Sequence, residues 1–221
     1  ILSLEDPVDK YLPSKKLKGI KIIDLVNHKS GLKKNSDMFP DEGSEKEFKN
    51  ALEQFEIYKK ENINTGEYGK YSYSNLGYQT LSAVLEKATG LDFDHIVKEK
   101  LFDPLKMKDS GYKKPKTILY QFNKKKITRK QQNETNSVKG AGGSRSTVSD
   151  LLKFRKFHTL LDKKSISKLE TFYFFNFDKE EDLWVLNHTG GIYGIATVLR
   201  FKYNKDLICK EEFILFRTNT L

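Results

Sequence analysis

The chain has 221 residues, a hydrophobic fraction of 37% and a formal net charge of +10. This length suffices for one domain with a sizeable core, and the 15 phenylalanines and 11 tyrosines argue against disorder along the whole chain. The single cysteine, Cys209, excludes an internal disulfide and a cysteine metal cluster.

The histidines and the hydropathy exclude two further classes of site. His28, His95, His158 and His188 are widely separated and form no HExxH-like pair. No apolar stretch approaches the roughly 18 residues needed to cross a bilayer. We therefore expect no metal, no cofactor and no membrane span in this chain.

In chain order, the first apolar segment is KGIKIIDLVNHKSGL, residues 18–32. Its apolar residues predict a short buried helix or strand that Gly31 ends. Residues 44–62 are charged, with apolar residues at helical spacing, and predict a surface helix; its apolar positions are Phe48, Leu52 and Phe55.

A longer helix is predicted within KYSYSNLGYQTLSAVLEKATG, residues 70–90. Gly90 suits the left-handed position that ends many helices. The predicted buried stripe repeats at helical spacing and consists of Leu81, Val84, Leu85 and Ala88.

Another helix is predicted at residues 92–102, and a lysine-rich loop or excursion at residues 113–139. The basic run 113–130 contains Tyr120 and Phe122, so a nucleic-acid-binding surface is an alternative there. We favour a solvated loop or an edge hairpin, because lysines are typical of both, and we expect no nucleic-acid partner.

The last third of the chain predicts one helix followed by β-strands. Thr147 is placed to cap the helix, with Asp150 in its first turn. The predicted strands are residues 172–177, 182–194, 195–203 and 211–217, with turn residues at 203–206. Helices in front and an antiparallel meander behind predict a single α+β domain over residues 1–221.

Two clusters could carry chemistry, and the first is Tyr73-Ser74-Asn75 at a helix start. A nearby cation can lower the pKa of a phenol and make it a proton shuttle, and a carboxamide can hold an amide or ester substrate. The structural alternative is that Ser74 or Asn75 caps the helix and Tyr73 packs beside it.

The second cluster is His188-Thr189-Gly190-Gly191, which follows an apolar strand. Glycines allow a substrate to lie against a strand edge and leave backbone N–H groups available for an oxyanion. The alternative is a tight hairpin turn with an exposed histidine. A third segment, from Gly140 to Thr147, favours a structural role.

Taken in order, six segments resemble the serine β-lactamase and penicillin-binding-protein superfamily, in particular its class C-like branch of β-lactamases, D-alanyl-D-alanine carboxypeptidases and esterases. The resemblance covers about residues 2–200, with gaps at 40–65 and 113–137. The segments are LSLEDPVDKYLP, IKIIDLVNHKSGL, YSYSNLGYQTLSAVLEKATG, LFDPLKMKDSGY, GAGGSRSTVSDLLKF and HTGG.

The resemblance implies a β-lactamase/transpeptidase-like fold and acyl transfer through a serine. It implies that Tyr73 is the proton relay and that Asn75 holds the acyl side of the substrate. His188 and Thr189 would bind a substrate carboxylate or polarise the site, and Gly190 and Gly191 would line the cleft, the Gly191 N–H supplying half of the oxyanion hole. Histidine at 188 departs from the lysine of class C β-lactamases, which favours a peptidase or an esterase.

The family's nucleophile motif, Ser-x-x-Lys, is not found at its expected place, which lies before LSLEDPV. The two matches in the chain are Ser30 to Lys33 and Ser165 to Lys168, and neither occupies the family position. Because the chain begins with Ile1 and ends soon after its last predicted strand, we expect an incomplete domain whose N- and C-terminal elements are missing.

The sequence therefore predicts a β-lactamase-related serine hydrolase in the intact parent, acting on a small-molecule or peptide substrate such as a peptidoglycan-like peptide, an ester or a β-lactam. We expect the chain itself to be inactive without the nucleophile. The alternatives are a catalytically dead homologue that binds peptidoglycan-like peptides and a basic nucleic-acid-binding protein. Family habit places the parent in the periplasm, outside the cell or anchored to a membrane, and the oligomeric state stays open.

Overall fold

The protein is described by a computed structural model over residues 2–36, 48–112, 119–123, 126–130, 139–192 and 195–218. The chain divides into two compact units. The first comprises Ile1–Val97 and Asn133–Ser144, and the second comprises Lys98–Gln132 and Arg145–Leu221. Each unit has its own buried apolar cluster, and the single domain expected from the sequence stays a prediction.

The first unit is helical. Its α-helices are α1 (Ile22–Val26), α2 (Ala51–Tyr58), α3 (Asn75–Thr89) and α4 (Phe93–Val97), and two short 3-10 turns precede them at Val8–Lys10 and Lys15–Leu17. The first apolar segment is therefore a helix rather than a strand. The predicted surface helix is shorter than residues 44–62, and residues 44–47 lie outside the described part of the chain.

The buried core of this unit includes side chains from α1, from α2 with the residue Phe48 before it, and from α3. Phe48 and Phe55 are buried as the spacing predicts, and Leu52 is partly buried against them. Leu25 of α1 and Leu76 of α3 are fully buried in the same cluster. Burial of these side chains holds α1 and α2 against α3, since each fully buried Leu or Phe contributes about 1.5–3 kcal/mol.

The buried face of α3 differs from the predicted stripe. Of the four predicted positions, Val84 is buried and the other three are half-buried. The remaining buried positions of the helix are Leu76, Gly77, Gln79, Thr80, Ser82, Ala83 and Glu86. The predicted stripe is therefore only part of the buried face, because polar side chains occupy much of the rest.

Backbone groups satisfy three of these polar side chains, those of Thr80, Ser82 and Glu86. Thr80 and Ser82 donate their hydroxyl hydrogens to carbonyls one turn earlier in α3, at 2.8 and 3.0 Å. The Glu86 carboxylate accepts the N–H groups of Leu52 and Phe93, each at 2.9 Å. Glu86 thereby ties the start of α2 and the start of α4 to the last turn of α3.

The second unit contains the β-structure. Its strands are β1 (Leu119–Asn123), β2 (Lys126–Lys130), β3 (Phe175–Asp178), β4 (Leu183–Ile192), β5 (Ile195–Tyr203) and β6 (Cys209–Thr218). Its α-helices are α5 (Val148–Phe154) and α6 (Lys163–Ile166), and a π turn covers Lys98–Phe102. Strands β1 and β2 form an antiparallel hairpin within the predicted lysine-rich excursion.

The last four strands form one antiparallel sheet in the order β3-β4-β5-β6. Leu186 of β4 and Phe201 of β5 pair directly across the sheet and are buried with Phe175 of β3. The architecture is α+β, with a helical unit and an antiparallel sheet packed with short helices, as predicted. Strand β3 begins at Phe175 rather than at 172, because Leu169–Thr171 forms a 3-10 turn ahead of it.

Within the described ranges, no helix combines the length and the apolar character needed to cross a membrane.

Candidate functional site

The first predicted cluster lies at the N-terminus of α3, in the helical unit. Ser74 is the N-cap: its Oγ accepts the Gly77 N–H at 2.9 Å and donates to the carbonyl oxygen of Lys33 at 2.7 Å. Asn75 is the first residue of the helix. The sequence left open whether Ser74 or Asn75 caps the helix. The structure assigns the cap to Ser74, so Asn75 does not serve as the cap.

Tyr73 remains exposed although it is next to the buried Ser74. Its exposed fraction is 42%, whereas that of Ser74 is 0%. The phenol ring lies 4.5 Å from the imidazole of His28, centroid to centroid, at an interplanar angle of 42°. The ring is thus supported by protein and also reachable from solvent, which a substrate-contacting phenol requires.

Asn75 is held by a residue far away in sequence. Its Nδ2 donates a hydrogen bond to Oδ1 of Asn35 at 2.9 Å. The Leu76 N–H, next to it, donates to the carbonyl oxygen of Lys34 at 3.1 Å. These bonds hold the carboxamide in one orientation at the helix start.

The supporting segment is His28 to Asn35, which follows α1. His28 is buried, with an exposed fraction of 1%, and its Nδ1 accepts the Ser74 N–H at 3.1 Å. Neither His28 nor Asn35 is predicted as a site residue from the sequence, where HKSGL serves only as a family segment. The sequence did contain a signal for them, because His28 and Asn35 are polar residues that follow the apolar run of α1, on either side of Gly31.

Of the two Ser-x-x-Lys matches, the first is part of this supporting segment. Ser30 is buried, and its Oγ accepts the Leu32 N–H at 3.4 Å. Lys33 forms an ion pair with Glu61, with Nζ and Oε2 2.6 Å apart. Ser30 therefore serves the loop structure.

The second match lies in α6 of the other unit. The N–H of Ser165 donates to the Asp162 carboxylate, which caps that short helix, at 2.6 Å. Nothing among the described contacts makes Ser165 an activated nucleophile.

The second predicted cluster, His188 to Gly191, lies within β4 of the sheet unit. On one side it pairs with β5, from His188 opposite Leu199 to Gly191 opposite Ala196. On the other side β3 pairs with β4 only as far as Leu186. Among the described strands, the second edge of His188–Gly191 therefore has no neighbour, and the hairpin-turn alternative is excluded because these residues are strand.

His188 faces the segment before β3. Its Nε2 lies 3.4 Å from the hydroxyl of Tyr173. The His188 side chain is exposed overall, but partial desolvation of the imidazole lowers its pKa from 6.5 and outweighs a hydrogen bond with the Thr189 backbone that raises it. This direction favours the neutral imidazole at pH 7, which acts through hydrogen bonds rather than through charge.

Gly190 is explained by a close cross-strand contact. Oγ1 of Thr197, its partner in β5, donates to the Gly190 carbonyl oxygen at 3.3 Å. A Cβ atom at position 190 would lie 2.7 Å from that same Oγ1. Glycine at 190 lets the two strands pair there without displacing Thr197.

The predicted residues thus form two groups, one in each unit. The structure brings Tyr73 and Asn75 together, with His28 and Asn35 as additional members. It brings His188, Thr189, Gly190 and Gly191 together on one strand, with Tyr173 as an additional contact of His188. Across the part of the chain that the structure covers, His, Cys, Asp and Glu form no group of three or more that could hold a metal ion.

Comparison with known proteins identifies relatives of this chain. A family model described as Beta-lactamase matches residues 1–204. Among curated proteins, the chain is similar to a teichoic acid D-alanine hydrolase of Staphylococcus aureus, with 30% identity over 157 residues. That match covers 68% of this chain and 38% of the relative, so the chain spans well under half the length of the curated relatives it matches.

Solved structures show the same relationship. FmtA from Staphylococcus aureus is 25% identical with a TM-score of 0.73, over 98% of this chain and 61% of that one. The D-amino acid amidase from Ochrobactrum anthropi is 18% identical with a TM-score of 0.77, over 98% and 69%. The fold is therefore β-lactamase/transpeptidase-like.

Proposed function

Because the chain belongs to the beta-lactamase family, we propose that it carries the Tyr-x-Asn and His-Thr-Gly portions of a serine hydrolase that works through an acyl-enzyme. The family model and the curated relatives support a β-lactamase-related chain, and the specific reaction is what we propose. The observation that carries it is the exposed phenol of Tyr73 beside the fixed carboxamide of Asn75. A buried tyrosine or an unrestrained asparagine at these positions would not support it.

In this proposal Tyr73 relays a proton. A serine Oγ attacks the carbonyl carbon of an ester or amide, the Tyr73 oxygen takes up the serine's proton, and the Tyr73 hydroxyl gives its own proton to the leaving alcohol or amine, so that the phenol is regenerated. Water then hydrolyses the acyl-enzyme, and the proton returns by the same path. Asn75 holds the acyl part of the substrate through its carboxamide.

Residues of β4 supply the other contacts. Thr189 and His188 hydrogen-bond the part of the substrate that leaves or lies beside it. The Gly191 N–H stabilises the oxyanion together with the N–H of the nucleophilic serine. The open second edge of this strand segment supports the role, because a substrate main chain can lie against it.

The serine and its lysine lie, in this proposal, outside residues 1–221. Ser30 is buried and Lys33 is paired with Glu61, which argues against the match that lies in the same unit as Tyr73. For residues 1–221 alone we expect no normal turnover, because loss of the nucleophile in such a catalytic unit costs about a millionfold in kcat in the best-studied case.

The substrate class that we propose is a D-alanyl ester or amide. The Staphylococcus aureus relative is named as a hydrolase of D-alanine on teichoic acid, and the structural relative as a D-amino acid amidase. The lowered pKa of His188 also favours an uncharged carbonyl or hydroxyl over the carboxylate of a β-lactam as its partner. The cell envelope, where such acylated polymers occur, is the proposed location.

A second candidate is a catalytically dead homologue that binds D-alanyl peptides. The burial of Ser30 favours it, because the described part of the chain then has a substrate-holding motif without a nucleophile beside it. Saturable binding of a D-Ala-D-Ala peptide, with no product formed by the full-length protein, would establish this alternative. The side chains of the basic run 113–130 lie outside the described part of the chain, so the nucleic-acid alternative stays a prediction.

The deciding experiment measures hydrolysis of p-nitrophenyl esters, D-alanine amide and nitrocefin by the full-length protein that contains residues 1–221. We expect Tyr73→Phe to reduce ester and amide hydrolysis by about 10²–10⁴-fold, since that is the usual contribution of a positioned acid–base group. Tyr68→Phe is the matched control, because Tyr68 is also exposed but bonds to Asp24. Equal activities of Tyr73→Phe and the unsubstituted protein would overturn the proposal.

A further inference from the structure

We propose that His28 is a positioning residue for Tyr73, which it holds through a hydrogen bond from the Ser74 N–H to Nδ1 and through contact between the imidazole and phenol rings. The inference rests on the proposed function of Tyr73 and extends it to a residue on a different segment. It assigns to the histidine of HKSGL a role in the reaction that the sequence does not suggest.

The backbone around Tyr73 is held from both sides by this one residue. The carbonyl oxygen of His28 accepts the Ser72 N–H at 2.7 Å. Its Nδ1 accepts the Ser74 N–H at 3.1 Å. Tyr73 lies between these two bonds, so its Cα has little freedom to move, and the conformational entropy of the relay residue is lost on folding rather than on substrate binding.

The imidazole also supports the phenol ring. Its centroid is 4.5 Å from that of Tyr73 and 5.0 Å from that of Tyr78. Tyr78 is itself anchored, because its hydroxyl donates to the carbonyl oxygen of Val26 at 2.9 Å. The chain of contacts therefore runs from the end of α1 through Tyr78 and His28 to the exposed ring of Tyr73.

The backbone of His28 carries a cost that a purely packing residue would not require. Its φ is +55°, in the left-handed region, which residues other than glycine seldom adopt. Glycine occupies this φ most easily, and asparagine and histidine occur there more often than most other side chains. Asparagine lacks an aromatic face and glycine lacks both face and acceptor, so histidine suits the two contacts that Tyr73 needs.

The hydrogen bond specifies a chemical state of the imidazole. A ring nitrogen that accepts a backbone N–H carries no proton, so a neutral His28 must hold its proton on Nε2. A protonated imidazole donates from both nitrogens and could not accept from Ser74. This state is a spectroscopic signature that simple packing of a histidine would not produce.

The test uses three variants of the 221-residue chain and needs no turnover. His28→Asn keeps an acceptor near the Nδ1 position and suits the backbone, whereas His28→Phe keeps a ring and removes the acceptor. His95→Asn, an exposed histidine of α4, is the matched control. We expect the nitrogen NMR signals of wild-type His28 to show the Nε2–H form at pH 7.5.

Amide hydrogen exchange then separates the two contacts. We expect the Ser74 amide to exchange about three- to tenfold faster in His28→Phe, and at the wild-type rate in His28→Asn and His95→Asn, because one hydrogen bond is lost only in the first. The Tyr73 ring resonances should shift in His28→Asn, which loses the aromatic contact. In the full-length enzyme, kcat should fall in both His28 variants with KM little changed.

An Nδ1–H or charged imidazole at pH 7.5 in the wild type would overturn the inference, and this measurement stands even where His28→Phe does not fold. Unchanged Ser74 exchange in a folded His28→Phe would overturn it as well. Failure of the proposed function would look different. In that case Tyr73→Phe would retain activity while the Nε2–H signature and the exchange pattern persisted.

Discussion

The carboxamide of Asn75 donates a hydrogen bond to Oδ1 of Asn35 at 2.9 Å, across 40 positions of sequence. This pairing makes the segment after α1 and the start of α3 a single supporting structure for the proposed substrate-holding amide. Residues on a loop of this kind can be tested without touching the proposed catalytic groups.

The first prediction concerns Asn35. We expect Asn35→Leu to reduce kcat/KM of the full-length protein by about tenfold, because Asn75 then loses the bond that orients it, at a cost of roughly 0.5–1.5 kcal/mol. Asn35→Asp keeps an acceptor for Asn75 Nδ2 and should retain most of the activity. Steady-state kinetics with an ester substrate measure both, and equal values for the two variants would contradict the prediction.

The second prediction concerns the cap of α3. Ser74→Ala should lower the free energy of unfolding by about 1–2 kcal/mol, because it removes an N-cap and leaves the Lys33 carbonyl without this donor. Urea unfolding followed by circular dichroism measures the change. Ser72→Ala is the control: its side chain is exposed, and the effect should stay within about 0.5 kcal/mol. Equal losses in both variants would mean that the capping geometry is wrong.

The third prediction concerns Asp150, the buried acid in the first turn of α5. Its carboxylate accepts hydrogen bonds from the Asp109 N–H at 2.7 Å, the Ser110 hydroxyl at 2.9 Å and Lys153 Nζ at 2.6 Å. Burial by itself raises the pKa of Asp150, but the bonds from Lys153, Ser110 and Asp109 outweigh it and hold the pKa below 3.8.

A carboxylate with a lowered pKa stabilises the fold above its unfolded value, and this contribution is lost as the pH falls through the folded pKa. We therefore expect Asp150→Asn to be less stable than the wild type at pH 7, with the difference shrinking below about pH 4. Urea unfolding from pH 7 to pH 2 measures it. Asp206→Asn, an exposed aspartate of the same unit, should show no such convergence, and a pH-independent difference for Asp150→Asn would refute the assignment.

The fourth prediction concerns His188. Desolvation of the imidazole lowers the pKa of His188 in the folded state. Between the folded pKa and about 6.5, the folded state therefore binds fewer protons than the unfolded state. As the pH falls through that range, the contribution of His188 to the free energy of unfolding is lost. Imidazole proton NMR should give a titration midpoint below that of the same chain in urea. A midpoint at or above the urea value would restore the charged, carboxylate-binding role.

Several features followed from local sequence alone. Gly90 ends α3 in the left-handed conformation, with φ of +72°, because a side chain there would meet the following carbonyl. Thr147 caps α5 through the Asp150 N–H, and the predicted strand 195–203 is confirmed as β5. Each depends on residues within a few positions of one another, so a single stretch of sequence contains the cause.

The buried face of α3 shows where such reasoning stops. Periodicity cannot distinguish Leu85, which is half-buried, from Glu86, which is buried and bonded to Leu52 and Phe93. The partners of Glu86 lie on two other helices, and without them its burial would be too costly. A polar residue therefore belongs to the core only after the neighbouring elements have been placed.

The candidate site likewise has features that the local sequence determines and features that depend on tertiary contacts. By itself, the sequence determined the family, the fold class and the positions of Tyr73, Asn75 and the His188–Gly191 strand. Motif order and hydrophobic pattern can be read from the chain without knowing its tertiary contacts. Only the tertiary structure decided that Ser74 is the cap, that Ser30 is buried, and that His28 and Asn35 hold the motif. The bond from Ser74 to Lys33 and the contacts of His28 and Asn35 with the motif join residues more than 35 positions apart, and they form only when the core brings α1 against α3.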